Sequence, residues 1–303
     1  MTKFRRLALL PAAMLILAAC QGGGGASADA SASQGGEGTA TACDGASGDD
    51  LLATICEAGV IKISTDPNYA PQSFLKPDGT YEGFDIDVAD AIGEGLGVDV
   101  QFETPEWEAI TAGSWSGRWD ISVGSMTITE DRKGVLDFSI PYYYTPAQMA
   151  SNDDAIQAVD DFSGTTVCAG ESTTYVDWLE GSLTLVDAPP VSDPPSDVTV
   201  TTLPTDANCA EAWQAGRDEF QGWISSSTTI QAAIDEGIEM HLVGDPVFYE
   251  PLAVAIDKGG PAHEQLLAAI DDILQRMHDD GSLTALSEKW YDGQDLTVVA
   301  SAQ

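Results

Sequence analysis

The stretch Val60-Ile61-Lys62-Ile63-Ser64 is short and rich in β-branched residues, and it reads as a strand. Downstream of it, Phe84, Val88, Ala91, Ile92 and Leu96 recur at the spacing of one helix face. Gly95 and Gly97 stop that helix. Residues 98–102 read as a second strand, 107–114 as a short helix and 120–124 as a third strand. Strand, helix, strand, helix, strand is an α/β layout with parallel strands.

The alternation resumes near residue 148. Strands are read at 166–169, 198–203 and 220–224, and helices at 174–180, 209–215 and 230–236, with a proline-rich loop over 187–197. A strand at 252–256 precedes an amphipathic helix carrying Leu266, Leu267, Ile270, Ile273, Leu274 and Met277. A last helix carries Leu283, Leu286 and Trp290. No internal repeat is found.

At the N-terminus, Lys3, Arg5 and Arg6 precede an apolar stretch over 7–17, which ends in Leu17-Ala18-Ala19-Cys20. A basic, then apolar leader ending in small residues reads as a secretion signal. Leu-Ala-Ala-Cys resembles a bacterial lipobox, which implies removal of residues 1–19 and acylation of Cys20. The apolar run is about half the ~20 residues that a membrane span requires. Residues 21–48 are mostly Gly, Ala, Ser and Thr with a few acids. They cannot bury a core, so residues 20–50 are expected to form a flexible tether.

The formal charge is −37, with 12 Lys and Arg against 49 Asp and Glu. That balance excludes nucleic acid as a partner, since phosphate binding requires a cationic footprint. It also disfavours strongly anionic solutes and leaves cationic or zwitterionic ones acceptable. Besides Cys20, four cysteines remain, and an even number outside the cytoplasm suggests disulfides. Cys43–Cys56 and Cys168–Cys209 is the preferred pairing, because each bridge stays within one structural region. His241, His263 and His278 are isolated and no Cys-x-x-Cys occurs, so neither a metal nor a cofactor is expected.

Four segments carry a resemblance. They are residues 64–71 (Ser-Thr-Asp-Pro-Asn-Tyr-Ala-Pro), 81–89 (Tyr-Glu-Gly-Phe-Asp-Ile-Asp-Val-Ala), 124–132 (Gly-Ser-Met-Thr-Ile-Thr-Glu-Asp-Arg, continuing to Pro141-Tyr142-Tyr143), and 277–291 (Met-His-Asp-Asp-Gly-Ser-Leu through Lys289-Trp290-Tyr291). In order and spacing they resemble the bacterial extracellular solute-binding proteins of family 3, the polar amino-acid import family. The resemblance implies an α/β, two-lobe periplasmic-binding-protein-like fold of type II with two crossing hinge segments. Lobe 1 is then discontinuous, 51–147 plus 252–303, and lobe 2 is 148–251. It further implies capture of an amino acid or similar small polar solute by a lipid-anchored monomer. Delivery is to an ABC permease coupled to an ATPase inside the cell.

Site residues follow from the same resemblance and from the ligand's chemistry. A carboxylate in a dry cleft calls for a bidentate cation and several donors. Arg132 matches the family's carboxylate-binding arginine, and Ser125 and Thr127 match donors to the same group. Trp107 and Tyr69 match aromatic walls. Asp66 matches a position that faces the side-chain cation in relatives taking basic amino acids. Thr173 and Thr174 precede a helix whose first amides favour anions, and match the second carboxylate clamp. The family usually places an aspartate where this chain has Ser226, and a serine does not neutralise a buried charge. Glu171 is the acid expected to serve instead for the ligand ammonium, unless the ligand is not an ordinary α-amino acid.

Two other readings compete with transport. A ligand-sensing domain is expected to continue into a membrane span and a signalling domain. A dehydratase-type enzyme on the same scaffold requires a cleft carboxylate as general acid, for which Glu171 and Glu108 are candidates.

Overall fold

The chain folds as its local signals direct. In the computed structural model, which describes residues 41–298, helix α1 (Leu51–Ala58) starts at Asp50. The Asp50 carboxylate accepts from the Leu52 amide at 3.0 Å, and Gly59 closes the helix in the left-handed conformation. Strand β1 (Val60–Ser64) follows at once. A small antiparallel sheet of β2 (Asn68–Tyr69), β3 (Ser73–Leu75) and β4 (Tyr81–Glu82) leads into α2 (Phe84–Leu96), β5 (Asp99–Glu103), α3 (Trp107–Thr111) and β6 (Ile121–Thr127). Then come β7 (Leu136–Phe138), β8 (Tyr143–Ser151), β9 (Thr166–Gly170), α4 (Thr174–Leu179), β10 (Thr199–Leu203), α5 (Asp206–Gln214), β11 (Gly222–Ser226) and α6 (Ser227–Asp235). Strand β12 (His241–Asp257), α7 (Glu264–Asp280) and α8 (Ser282–Trp290) complete the chain.

The main sheet runs β10-β9-β11-β8-β12-β6-β1-β5, with β7 also on β12. Parallel triplets occupy its two ends: β10, β9 and β11 at one, and β6, β1 and β5 at the other. Between them β8 and β12 run antiparallel to their neighbours and to each other. They are the two strands by which the chain passes from one half to the other. Pro146 faces Tyr249 and Pro251 faces Tyr144 in this pair, and the register shifts between Val243 and Phe248.

Each half has its own core. One packs α2, α7 and α8 on β1 and β6, with Ile61, Ile63, Phe84, Val123 and Ile270 buried together. The other is built on both faces of β9, β11 and β8, with Phe162, Trp178 and Phe248 on one face and Trp213, Trp223 and Ile230 on the other. Burial of such large apolar side chains contributes roughly 1.5–3 kcal/mol each.

The two disulfides pair as expected, Cys43–Cys56 and Cys168–Cys209, with sulfurs 1.92 and 1.99 Å apart. The first alters the expected organisation. Residues 42–45 form a single turn bridged to α1, so the end of the supposed tether is stapled to the folded body. Cys20 and the leader lie outside the described residues. The parallel layout is also incomplete, because β8 and β12 make the sheet mixed. The strand read at 252–256 is the last part of a longer one. Gly244, Asp245, Pro246 and Pro251 interrupt its apolar pattern and conceal it.

Candidate functional site

The polar residues of interest stand where strands end, which is where open α/β sheets form ligand crevices. Asp66 follows β1, Tyr69 lies on β2 and Trp107 opens α3. Ser125 and Thr127 close β6, and Arg132 sits in a tight turn just beyond. From the other half, Glu171, Thr173 and Thr174 follow β9, Asp206 opens α5 and Glu250 lies on β12. Together these line one cavity of about 490 Å³, including the space open at its mouth. Of the nine ligand residues read from the sequence, eight line it; Ser226 does not.

Arg132 is 8% exposed. Its two terminal nitrogens donate to the carbonyls of Thr127 and Ser172, both at 3.1 Å, and its guanidinium carbon lies 5.5 Å from the centre of the Trp107 ring. A guanidinium carries five N–H donors, so donors remain unspent. No carboxylate lies within ion-pair distance of it. Burial pushes its pKa down, while Glu250 and Asp177 push it back up. A buried cation without a close counter-ion is costly, and this one borders an open cavity.

The hydroxyls expected to meet a ligand are engaged with the protein. The Ser125 hydroxyl donates to Asp85 at 2.7 Å and also meets Tyr143, while its amide donates to the Tyr142 hydroxyl at 3.1 Å. Ser125 holds φ at +55°, a left-handed value unusual for serine, which turns the chain out of β6. Thr173 donates back to the Gly170 carbonyl at 2.8 Å. Thr127 and Thr174 both donate to Glu250 Oε1, the former at 2.7 Å, while Tyr175 and Thr145 reach Oε2 at 2.8 and 3.4 Å. Glu250, 2% exposed, thus gathers donors from both halves.

Asp206 is the second acid that sequence reasoning missed. It is 7% exposed and accepts from the Gly170 amide at 2.8 Å. Burial raises its pKa to about 7, Gly170 works against the rise, and Glu250 and Asp66 add to it. Asp66 is also raised, mainly by burial and opposed by its bond from the Asn68 amide. Two signals could have found these acids. Pro204-Thr205-Asp206 stands between a strand and a helix, and Glu250 interrupts an otherwise apolar strand run. Glu171 does line the cavity. Glu108 is not among the lining residues.

Ser226 instead caps α6, accepting from the Thr229 amide at 3.2 Å. Its hydroxyl receives the side-chain amide of Gln72 at 3.0 Å; Gln72 also donates to Thr228 at 2.8 Å and accepts from Thr229 at 3.3 Å. These bonds join the two halves. So do Trp107 Nε1 to the Ser172 carbonyl at 3.1 Å and the Tyr69 and Tyr175 hydroxyls at 3.4 Å. The cleft is closed in this structure.

Among the described residues no helix is long and apolar enough to cross a membrane, and no group of side chains is arranged to hold a metal ion.

Comparison with known proteins agrees with this architecture. The chain is 29% identical over 244 residues to the L-cystine-binding protein TcyJ of Escherichia coli (strain K12), covering 80% of this chain and 85% of that one. It is 27% identical over 226 residues to the probable amino-acid-binding protein YxeM of Bacillus subtilis (strain 168), covering 74% and 80%. The crystal structure of the ancestral amino acid-binding protein AncCDT-1, a precursor of cyclohexadienyl dehydratase, superposes with a TM-score of 0.68 at 28% identity, covering 80% of this chain and all of that one. With the family's sequence profile matching residues 61–293, this chain belongs to the bacterial extracellular solute-binding proteins, family 3.

Proposed function

We propose that this protein is the extracytoplasmic binding component of an ABC importer, capturing an amino acid between lobe 1 (51–147 plus 252–303) and lobe 2 (148–251). The observation that carries this reading is Arg132, a buried guanidinium with unspent donors at the edge of the interlobe cavity and no carboxylate beside it. A ligand carboxylate supplies the missing counter-charge.

In the open cleft the solute docks on Arg132, with Trp107 and Tyr69 packing on its apolar part. Closure brings in the lobe 2 residues Thr173 and Thr174, together with Asp206. Ser125 and Thr127 act by shaping the wall, with their hydroxyls held by Asp85 and Glu250. The closed form then engages a membrane permease, whose ATPase lies inside the cell. Hinge closure is the known repertoire of such folds. The names of the relatives above support an amino-acid ligand.

The lipobox-like Leu17-Ala18-Ala19-Cys20 supports a lipid anchor through Cys20, which mass spectrometry of the mature N-terminus tests. The protein acts as a monomer in this reading.

A thermal-shift screen against the twenty L-amino acids and L-cystine tests the reading, since ligand binding to the native state raises Tm. Arg132→Ala should abolish the shift, with a loss of about 2–5 kcal/mol in binding. Unchanged affinity in that variant removes the carboxylate assignment.

An enzyme on the same scaffold is a second reading, favoured by one observation: Asp206, with its pKa raised to about 7, lies in an enclosed cavity and suits a general acid. Recovery of the bound solute unchanged, followed by mass spectrometry over hours, supports capture; a new product supports catalysis.

A further inference from the structure

The charges around the cavity are unevenly placed. Arg132 feels Glu250 and Asp177, whereas Asp206 feels only other acids, Glu250 from β12 and Asp66 from the loop after β1. Tyr69 from β2 and Tyr175 from α4 are the other titratable groups facing it, and burial keeps both phenols neutral. Among the described residues no lysine or arginine pairs with Asp66 or Asp206.

Asp206 is held in place with some care. Its Oδ1 accepts from the Gly170 amide at 2.8 Å, and a Cβ on residue 170 would fall 2.6 Å from that same oxygen. Glycine at 170 therefore permits the seat. The Cys168–Cys209 bridge ties α5 to β9 on either side of this contact. The other carboxylate oxygen of Asp206 has no hydrogen-bond partner in the protein, and the side chain lines the cavity. Glu250, by contrast, is saturated by four hydroxyls.

Resting on the amino-acid reading above, we infer that Asp206, together with Asp66 from the opposite lobe, is the cation-binding subsite that holds the ligand's ammonium group. The solute is then a zwitterion or cation whose carboxylate sits at the Arg132 end and whose ammonium sits at the Asp206 end. Two acids from different lobes repel one another across an empty cleft, and an ammonium between them reverses the sign of that interaction. The ammonium is thus the group that rewards closure, and simple organic acids are excluded.

The raised pKa of about 7 supplies a signature. An ammonium requires the charged carboxylate, so binding below pH 7 must expel a proton. Affinity should be about tenfold weaker at pH 6 than at pH 8. Asp85 is raised to about 7 as well, but it is bonded to Ser125 and Tyr142. Its titration survives replacement of Asp206.

The test uses the L-amino acid, from the twenty and L-cystine, that gives the largest thermal shift with the wild-type protein, and the same molecule lacking its amino group. Isothermal titration at pH 6, 7 and 8, in buffers of differing ionisation enthalpy, is applied to wild type and Asp206→Asn. Asparagine keeps an oxygen for the Gly170 amide, and circular dichroism verifies folding. The inference expects the wild type to reject the deaminated analogue, and Asp206→Asn to bind the amino acid about thirtyfold or more weakly. The variant should also lose the pH dependence and discriminate less against the analogue. Asp66→Asn, measured in the same way should Asp206→Asn fail to fold, should weaken binding in the same direction. Retained affinity and pH dependence in a folded variant overturn the inference while leaving the import reading intact. Failure of every amino acid to bind the wild type overturns both.

Discussion

Replacing Gln72 by alanine isolates the energy of lobe closure from that of ligand contact. Gln72 is fully buried, outside the cavity lining, and its amide meets Ser226 at 3.0 Å, Thr228 at 2.8 Å and Thr229 at 3.3 Å. In an open cleft the same amide is hydrated, so these bonds count only toward the closed form. A neutral hydrogen bond contributes about 1 kcal/mol net, which sets about 3 kcal/mol as the upper figure. The three hydroxyls are not orphaned by the change, because Ser226 also bonds to Thr228 at 3.0 Å and to Thr229 at 2.9 Å. That lowers the loss toward about 1 kcal/mol. A loss of 1–3 kcal/mol in closing translates to roughly 5–150-fold in apparent affinity. Titration calorimetry with the best-binding amino acid should show that weakening, with the rank order of amino acids unchanged because no cavity residue has been altered. Small-angle scattering should show a larger radius in the ligand-free variant. Affinity within twofold of wild type, together with an unaltered radius, would refute the assignment of this cluster as a closure contact.

Two further outcomes concern stability. Cys168 and Cys209 are separated by 41 residues and both are fully buried, so replacing both by serine should cost about 4 kcal/mol of unfolding free energy by the chain-entropy estimate. The 13-residue Cys43–Cys56 bridge should be worth about 3 kcal/mol; urea denaturation of the two double variants orders them. Asp85 and Asp206 have folded-state pKa values raised to about 7, above the unfolded range of about 4. The native state therefore binds more protons between those values, and stability falls as pH rises through 7. Lowering pH from 8 to 6 should stabilise the ligand-free protein by about 1.4 kcal/mol per group, and Asp85→Asn should remove one share, both read as Tm.

Local patterns located much of this fold. The strand at 60–64 and the helix face from Phe84 to Leu96 match β1 and α2 as formed. Apolar periodicity there is uninterrupted and glycine marks the end. Strands β2 to β4, with two or three residues each, are too short to carry a period. α1 was missed although Asp50 and Gly59 bracket it. The site divides similarly. Eight residues carried by motif spacing reach one cavity, because each follows a strand end. What their side chains do there was not legible. The Thr127 and Thr174 hydroxyls turn to Glu250, a partner far away in sequence that only the β12–β6 and β12–β8 pairings bring near. Ser226 was misjudged as facing the ligand because its alternation on β11 is fixed by cap geometry at α6, not by the strand alone.

The prolines at 146 and 251 give the paired crossing strands a mechanical property. Each stands in the β8–β12 ladder, where an amide hydrogen is absent by chemistry. A sheet flexing at that level has fewer bonds to stretch than one of ordinary residues, so bending concentrates there and spares the parallel triplets on either side. Glu250 occupies the position beside Pro251, at the fulcrum, where a small rotation of the strand moves its carboxylate relative to hydroxyls rooted in both halves. The compliance of two rings and the grip of one acid are thus set side by side in the chain.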